Sequence, residues 1–94
     1  MIEIEWDPAK ARANLRKHGI SFDEAKSVFS DHLSLTIIDA AHSDVSRELR
    51  FLTLGESSAG RLIVVSHTDR SDRIRIISAR RAKPREIRQY ESER

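Results

Sequence analysis

The chain begins with an alternation of apolar and polar positions and then changes to helical spacing. The alternation over residues 2–6, IEIEW, predicts a short strand. Asp7 followed by Pro8 is typical of an N-cap and a first helical position. Gly19 is the kind of residue that ends a helix in the left-handed conformation. The pattern therefore predicts a first helix from Pro8 to about His18.

Residues 21–29, SFDEAKSVF, contain a second helical pattern. Ser21 and Glu24 have the spacing of a capping box, in which the serine caps the first turn and the glutamate side chain reaches back to the cap. Four apolar residues fall on one stripe of this helix: Phe22, Ala25, Val28 and Phe29. A second, shorter helix is predicted here.

Four stretches rich in β-branched and large apolar residues follow, and each predicts a strand. They run over residues 35–39, 48–54, 62–68 and 74–79, and Pro84 then predicts the start of a short C-terminal helix. The connections between the late strands are short, which favours antiparallel pairing. We expect an α+β fold with an N-terminal strand and two helices, a four-stranded antiparallel sheet and a short C-terminal helix, all in one domain over residues 1–94.

Two assumed hairpin registers assign the strand residues to faces. A three-residue loop over residues 70–72 would place His67 opposite Arg75, and a loop over residues 55–60 would place Glu48 opposite His67. One face would then be apolar, with Leu49, Phe51, Leu62, Val64, Ile74 and Ile76. The other face would have a charged end formed by Glu48, Arg50, His67 and Arg75. By strict alternation Arg80 falls on the core face, so its role depends on where the last strand ends.

Positive charge is concentrated in the C-terminal half, although the formal net charge is only +2. Between positions 73 and 88 there is a single acid, Glu86, among the basic residues Arg73, Arg75, Arg80, Arg81, Lys83, Arg85 and Arg88. Such a block attracts phosphates or an acidic protein. The alternative is an arginine-rich surface that only keeps the protein in solution.

Several classes of protein are disfavoured by what the sequence lacks. The chain has no cysteine, which excludes disulfides and thiolate chemistry and fits a reducing compartment. The histidines stand at positions 18, 32, 42 and 67, without a metal-ligand spacing, and His32 and His42 are predicted to be loop residues. We expect neither a metal nor another cofactor. With no signal-peptide pattern and no membrane-spanning stretch, a cytoplasmic protein without membrane contact is expected.

The predicted charged end contains the groups needed to cleave RNA without a metal. A base takes the proton of the ribose 2′-hydroxyl, the oxygen attacks the adjacent phosphate, arginines stabilise the phosphoryl charge, and an acid protonates the leaving oxygen. Arg50 and Arg75 suit the phosphate role, His67 the proton transfer, and Glu48 the role of base or orienting group. The structural alternative is a half-buried histidine beside a cross-strand ion pair.

Three stretches resemble a known family. They are WDPAKARANLRKHGISFDEAKSVF at 6–29, RELRFLTLG at 47–55 and GRLIVVSHTDRSDRIRIISARRA at 60–82. Together they are similar to BrnT-type toxins over nearly the whole chain. The resemblance implies a RelE-like ribonuclease fold and RNA cleavage. It also implies neutralisation by a BrnA-type ribbon-helix-helix antitoxin, commonly in a complex of two toxins and two antitoxins that binds promoter DNA through the antitoxin.

The matching positions and the predicted faces together give a set of candidate site residues. The motif positions are Lys17 and His18, Glu48 and Arg50, and Arg75, Ser78 and Arg80. We expect catalytic roles for Glu48, Arg50, His67, Arg75 and Arg80, and RNA contacts from Lys17, His18, Arg73, Ser78, Arg81 and Lys83. Two other functions compete with the ribonuclease: a noncatalytic module that binds nucleic acid or protein, and a toxin directed against DNA gyrase.

Overall fold

A mixed sheet with helices on both sides forms the fold, which we describe from a computed structural model over residues 2–44 and 48–92. The elements in chain order are β1 (Glu3–Trp6), α1 (Pro8–His18), α2 (Phe22–Ser27), β2 (Leu35–Ile38), β3 (Arg50–Glu56), β4 (Leu62–Arg70), β5 (Arg73–Arg81) and α3 (Pro84–Ser92). Single 3-10 turns follow α2 and β2. In the part of the chain just given, no helix is long and apolar enough to cross a membrane.

The sheet has five strands in the order β1-β5-β4-β3-β2. The α+β class is confirmed, and β2 to β5 pair antiparallel as predicted. The prediction of a separate N-terminal strand beside a four-stranded sheet is wrong, because β1 pairs parallel with β5 and places Ile4 opposite Ile74. This pairing joins residues about seventy positions apart, so no turn motif in the sequence predicts it.

Both N-terminal helices begin as predicted, and α1 also ends as predicted, whereas α2 ends at Ser27 and leaves Val28 and Phe29 to a 3-10 turn. Asp7 accepts a hydrogen bond from the first turn of α1, and Gly19 ends the helix with a φ of 70°. Ser21 caps α2 by accepting from the backbone N–H of Glu24 at 3.0 Å. The Glu24 carboxylate does not complete the predicted capping box, since it accepts from Arg61 Nε at 2.9 Å. That contact joins α2 to the start of β4.

The main core lies between the sheet and the first two helices. We call this side of the sheet, which carries Ile63, Val65 and Ile76, the helix face. Trp6 and Phe22 meet there edge to face at 5.9 Å between ring centroids. Buried apolar residues fill the space: Ile20, Phe22, Ala25, Val28, Ile63, Val65, Ile76 and Ala79.

The opposite side of the sheet, which we call the groove face, is only half covered. Leu54 and Val64 pack there against Tyr90 of α3. The Tyr90 hydroxyl donates to Asp31 Oδ2 at 2.6 Å and so fixes the helix to the loop before β2. The other half of this face is left open by α3, and polar side chains occupy it.

The assumed register between β3 and β4 is wrong. Arg50 lies opposite Thr68 and Phe51 opposite His67, so the strands are offset by three residues from the predicted pairing of Glu48 with His67. An odd offset moves every side chain of one strand to the other face. The predicted apolar face is therefore divided, with Phe51 on the helix face and Val64 on the groove face. The cause is that β3 continues to residue 56 before it turns.

The predicted three-residue loop between β4 and β5 is also wrong, because the observed loop has two residues and places Arg70 opposite Arg73. Ser71 adopts a φ of 51°, which a two-residue hairpin turn requires. Farther along, a β-bulge shifts the register, because His67 lies opposite Ile76 but Ser66 lies opposite Ser78. The extra residue turns the second half of β5 over, so Ser78 and Arg80 lie on the groove face.

Candidate active site

A groove of about 310 Å³ occupies the open half of the groove face. Its walls carry two guanidinium groups, two hydroxyls, one imidazole and one carboxylate. The lining residues are Asp39, His42, Arg50, Leu52, Ser66, Ser78 and Arg80. Of the residues predicted from the sequence, Arg50, Ser78 and Arg80 are therefore brought together, while Asp39, His42 and Ser66 were not expected here.

Three neighbouring strands supply the floor of the groove. Ser66 lies between Leu52 and Ser78 across the central strands. Arg50 stands two residues before Leu52 in β3 and therefore lies on the same face. Within the described residues, 2–44 and 48–92, no carboxylate forms an ion pair with Arg50. Its guanidinium is therefore available to an anion that enters the groove.

Arg80 is held at the groove by the C-terminal helix. Its Nη1 and Nη2 donate to Oε1 and Oε2 of Glu86 at 2.8 and 2.9 Å. This paired hydrogen bond, together with the Lys83 backbone N–H, lowers the pKa of Glu86 to about 2. The same contact raises the pKa of Arg80. The guanidinium is thus fixed in orientation before any ligand binds.

A histidine and an aspartate stand at the rim of the groove. His42 Nδ1 and Asp39 Oδ2 are 2.9 Å apart, and the imidazole side chain is 67% exposed. Asp39 directly follows β2, and His42 ends the 3-10 turn Ala40–His42. The prediction that His42 is a loop residue is confirmed, but its position beside the arginines was missed. The local signal is the Asp-x-x-His spacing in DAAH.

His67 lies on the helix face and not beside the arginines, which follows from the corrected registers. Its side chain is 2% exposed. Nε2 is 2.7 Å from Thr53 Oγ1, and Nδ1 is 2.7 Å from Asp69 Oδ1. Burial lowers the pKa of His67, and the Asp69 carboxylate only partly opposes that effect. We therefore assign this imidazole to the structure of the core.

The other predicted acidic and basic catalytic residues form ion pairs outside the groove. Glu48 Oε2 accepts from Arg70 Nη2 at 2.6 Å. Arg75 lies on the groove face but beside β1, where its Nη2 is 2.9 Å from Glu5 Oε2. Arg73 shares that carboxylate, with Nη1 at 3.2 Å from Oε1. The two arginines lower the pKa of Glu5 by hydrogen bonding.

The remaining candidates for RNA contact are dispersed. Lys17 and His18 end α1, which packs on the helix face. Arg81 lies opposite Ile63 and so belongs to the helix face. Lys83 precedes α3 and donates its backbone N–H to Glu86. Arg47, the first residue of the RELR motif, lies outside the described residues.

The acidic and histidine side chains do not form a metal site in the described ranges. Among residues 2–44 and 48–92, no three histidine, aspartate or glutamate side chains lie close enough together to hold an ion. The groove itself contributes one carboxylate and one imidazole from these ranges. Two guanidinium groups beside one imidazole are the kinds of group that can bind a phosphate and transfer a proton.

Comparisons with known proteins bear on the fold and the family of the chain. No curated protein sequence matches the chain. A crystal structure of the Brucella abortus ribonuclease toxin BrnT, determined at 1.1 Å resolution, superposes with a TM-score of 0.65 at 22% sequence identity. The match covers 88% of this chain and 99% of that chain. The family described as the ribonuclease toxin BrnT of type II toxin-antitoxin systems matches residues 6–86. The chain therefore belongs to the BrnT family of ribonuclease toxins.

Proposed function

We propose that this toxin cleaves RNA in the groove by attack of the ribose 2′-hydroxyl and without a metal ion. The observation that carries the proposal is the meeting of Arg50, Arg80, Ser66 and Ser78 in one open cavity of about 310 Å³. A cavity of this size lies at the lower end of the usual range for ligand sites, which leaves room for a phosphate group. We also infer from the family resemblance that the fold is of the RelE-like type.

The proposed chemistry assigns phosphate recognition to the guanidinium groups. Arg50, which has no carboxylate partner in the described residues, would donate to the phosphoryl oxygens, where negative charge grows as the 2′-oxygen attacks. Arg80 is oriented by Glu86 and would add a second set of donors. Ser66 and Ser78 would hydrogen-bond the ribose or the phosphate from the floor. Substrate lacking the attacking 2′-hydroxyl would bind without being cleaved.

The test compares two arginines of the same sheet face. Arg50→Ala should reduce the cleavage rate of single-stranded RNA by about 100-fold to 1000-fold, the usual loss for one transition-state donor. Arg75→Ala is the matched control, because Arg75 is exposed on the same face but is engaged with Glu5 outside the groove. Equal losses in the two variants would assign the effect to general charge. A loss below tenfold in Arg50→Ala would reject the groove as the cleavage site.

The same purified toxin, freed of any partner, separates the competing functions. Cleavage should persist in excess chelator and should give a 2′,3′-cyclic phosphate and a 5′-hydroxyl. A noncatalytic module would bind RNA and leave it intact. A gyrase-directed toxin would cause DNA breaks without loss of RNA, and Arg50→Ala would leave its RNA profile unchanged. Loss of activity in chelator would contradict the metal-free chemistry.

We further propose a ribbon-helix-helix antitoxin of the BrnA type as the partner, in a complex of two toxins and two antitoxins that binds promoter DNA through the antitoxin. Membership in a type II toxin-antitoxin family supports an antitoxin partner, and the family resemblance suggests its type and the stoichiometry. Lys83, Arg85 and Arg88 are exposed at and around α3 and suit an acidic antitoxin segment. Co-expression with the adjacent reading frame, followed by mass measurement of the complex, tests the stoichiometry. A cytoplasmic location is part of this proposal.

A further inference from the structure

We infer that His42 is the general base of the cleavage reaction and that Asp39 positions its imidazole. The inference rests on the proposed function, because it requires the scissile phosphate to lie in the groove beside Arg50. It assigns proton abstraction to a residue of the turn after β2, away from the strand residues that carry the phosphate contacts.

The geometry of the pair determines which ring nitrogen can act. Asp39 Oδ2 lies 2.9 Å from His42 Nδ1, so the carboxylate accepts the Nδ1 proton. In the neutral imidazole that tautomer leaves the lone pair on Nε2. The side chain of Asp39 is 15% exposed and that of His42 is 67% exposed. The positioning group is therefore sheltered, whereas the imidazole is open to a substrate.

The turn that carries His42 is attached to the strand that carries Arg50. The Asp39 backbone N–H donates to the Arg50 carbonyl at 2.8 Å. Ser43 Oγ donates to the Asp39 carbonyl at 2.7 Å and accepts from the Arg50 backbone N–H at 2.9 Å. These bonds fix the distance between the base and the phosphate-binding strand, as a near-attack arrangement requires.

The other histidines of the chain lie away from the groove. His67 is buried on the helix face, with both ring nitrogens hydrogen-bonded. His18 ends α1, which packs on the helix face. His32 lines a separate surface depression with Asp31 and Glu56. His42 is thus the histidine that lines the groove with the arginines.

The proton and electron pairs can be followed through the step. Nε2 of His42 takes the proton of the 2′-hydroxyl as the 2′-oxygen forms its bond to phosphorus. The bond from phosphorus to the 5′-oxygen breaks, and that oxygen is protonated by water. The imidazolium, still hydrogen-bonded to Asp39, then returns its proton to solvent. The products are a 2′,3′-cyclic phosphate and a 5′-hydroxyl.

The charged groups that line the groove with the imidazole are Asp39 from its own turn, Arg50 from β3 and Arg80 from β5. Asp39 contacts Nδ1, and the two arginines are cations that cannot accept a proton near neutral pH. Among the described residues that line the groove, His42 is therefore the one whose exposed ring nitrogen can accept the proton of the 2′-hydroxyl.

The experiment measures single-turnover cleavage of an RNA oligonucleotide by His42→Ala, with His32→Ala as the matched control. His42→Ala should lose about 100-fold or more in rate, whereas His32→Ala should keep the wild-type rate. The affinity of His42→Ala for the uncleavable 2′-deoxy oligonucleotide should equal that of the wild type. Added imidazole should restore part of the lost rate. Asp39→Asn should show a smaller loss, and it should cause no further loss when combined with His42→Ala.

A substrate with sulfur in place of the bridging 5′-oxygen distinguishes base from acid. Its leaving group needs no protonation, so a variant that lacks only the general acid would cleave it at the wild-type rate. We expect His42→Ala to remain slow on this substrate, and recovery would overturn the assignment as base. If His42→Ala lost less than fivefold in rate on ordinary RNA while Arg50→Ala remained impaired, the role of His42 as base would be rejected and the groove would remain the cleavage site. If Arg50→Ala also kept full activity, the proposed groove itself would fail.

Discussion

Removing the charge of Glu86 should destabilise the protein in a way that depends on pH. Glu86→Gln leaves the side chain nearly the same size and keeps an oxygen that can accept from the Lys83 backbone N–H. It removes the carboxylate that receives both Nη atoms of Arg80. The variant therefore isolates the charge of the pair from its packing.

The magnitude follows from the pKa of Glu86, which falls from 4.5 to about 2 in the folded protein. Each pKa unit corresponds to about 1.4 kcal/mol, so the upper bound is about 3.5 kcal/mol. The Glu86 and Arg80 side chains are 25% and 33% exposed, and solvent screening weakens such a pair. We expect a loss of about 1 to 2 kcal/mol in the free energy of unfolding at pH 7.

The sign of the pH dependence is set by a depressed carboxylate pKa. The stabilisation is complete above the unfolded value of 4.5 and is lost as the pH falls toward the folded value of about 2. Urea unfolding of wild type and Glu86→Gln at pH 7, 4 and 2.5 measures this, since other carboxylates contribute equally to both proteins. Glu91→Gln, an exposed position of the same helix, is the control. A difference that stays constant from pH 7 to 2.5 would refute the reasoning.

Two further predictions concern buried polar groups. Asn14 accepts from the Ala79 N–H at 3.0 Å and donates to the Ala79 carbonyl at 2.9 Å, so Asn14→Ala should lower the free energy of unfolding by about 2 to 4 kcal/mol in urea titrations. The exposed Arg12→Ala on the same helix should cost little, and a loss below about 0.5 kcal/mol for Asn14→Ala would contradict the assignment. For His67, burial lowers the pKa, so the unfolded state binds a proton first and stability should decrease as the pH falls below about 6.5. An NMR titration should find that this imidazole is protonated only at a lower pH than an exposed histidine, and Asp69→Asn should lower its pKa further; an ordinary titration would show that the ring is accessible.

The sequence predicted the local elements well, because their signals lie within a few residues of each other. The cap at Asp7, the left-handed Gly19 and the proline that starts α3 each act within one turn, and each element begins or ends where these residues indicate. The strands were predicted from β-branched runs for the same reason. Their errors were confined to the ends, where β3, for example, starts at Arg50 and not at residue 48.

The site could be predicted only in part, because it depends on registers. A side chain can be assigned to a face only when the register of each hairpin is known to within one residue. Both predicted loop lengths were wrong. In the observed registers His67 lies on the helix face and Leu62 on the groove face, and both placements differ from the prediction. Arg50 lies on the polar half of the groove face, at the start of the interior strand β3. His42 was overlooked because its importance comes from a tertiary contact of its turn with β3.

The β-bulge opposite Ser66 is what places Ser78 and Arg80 beside Arg50. Strict alternation from Ile76 would put Arg80 on the helix face, against the main core, where its charge could not be solvated. The extra residue reverses the faces, buries Ala79 and exposes Arg80 to the groove and to Glu86. Beyond Trp6 the strand β1 no longer pairs with β5, and Asn14 replaces it by bonding both backbone groups of Ala79. The buried asparagine thus stabilises the strand segment that carries two residues of the candidate active site.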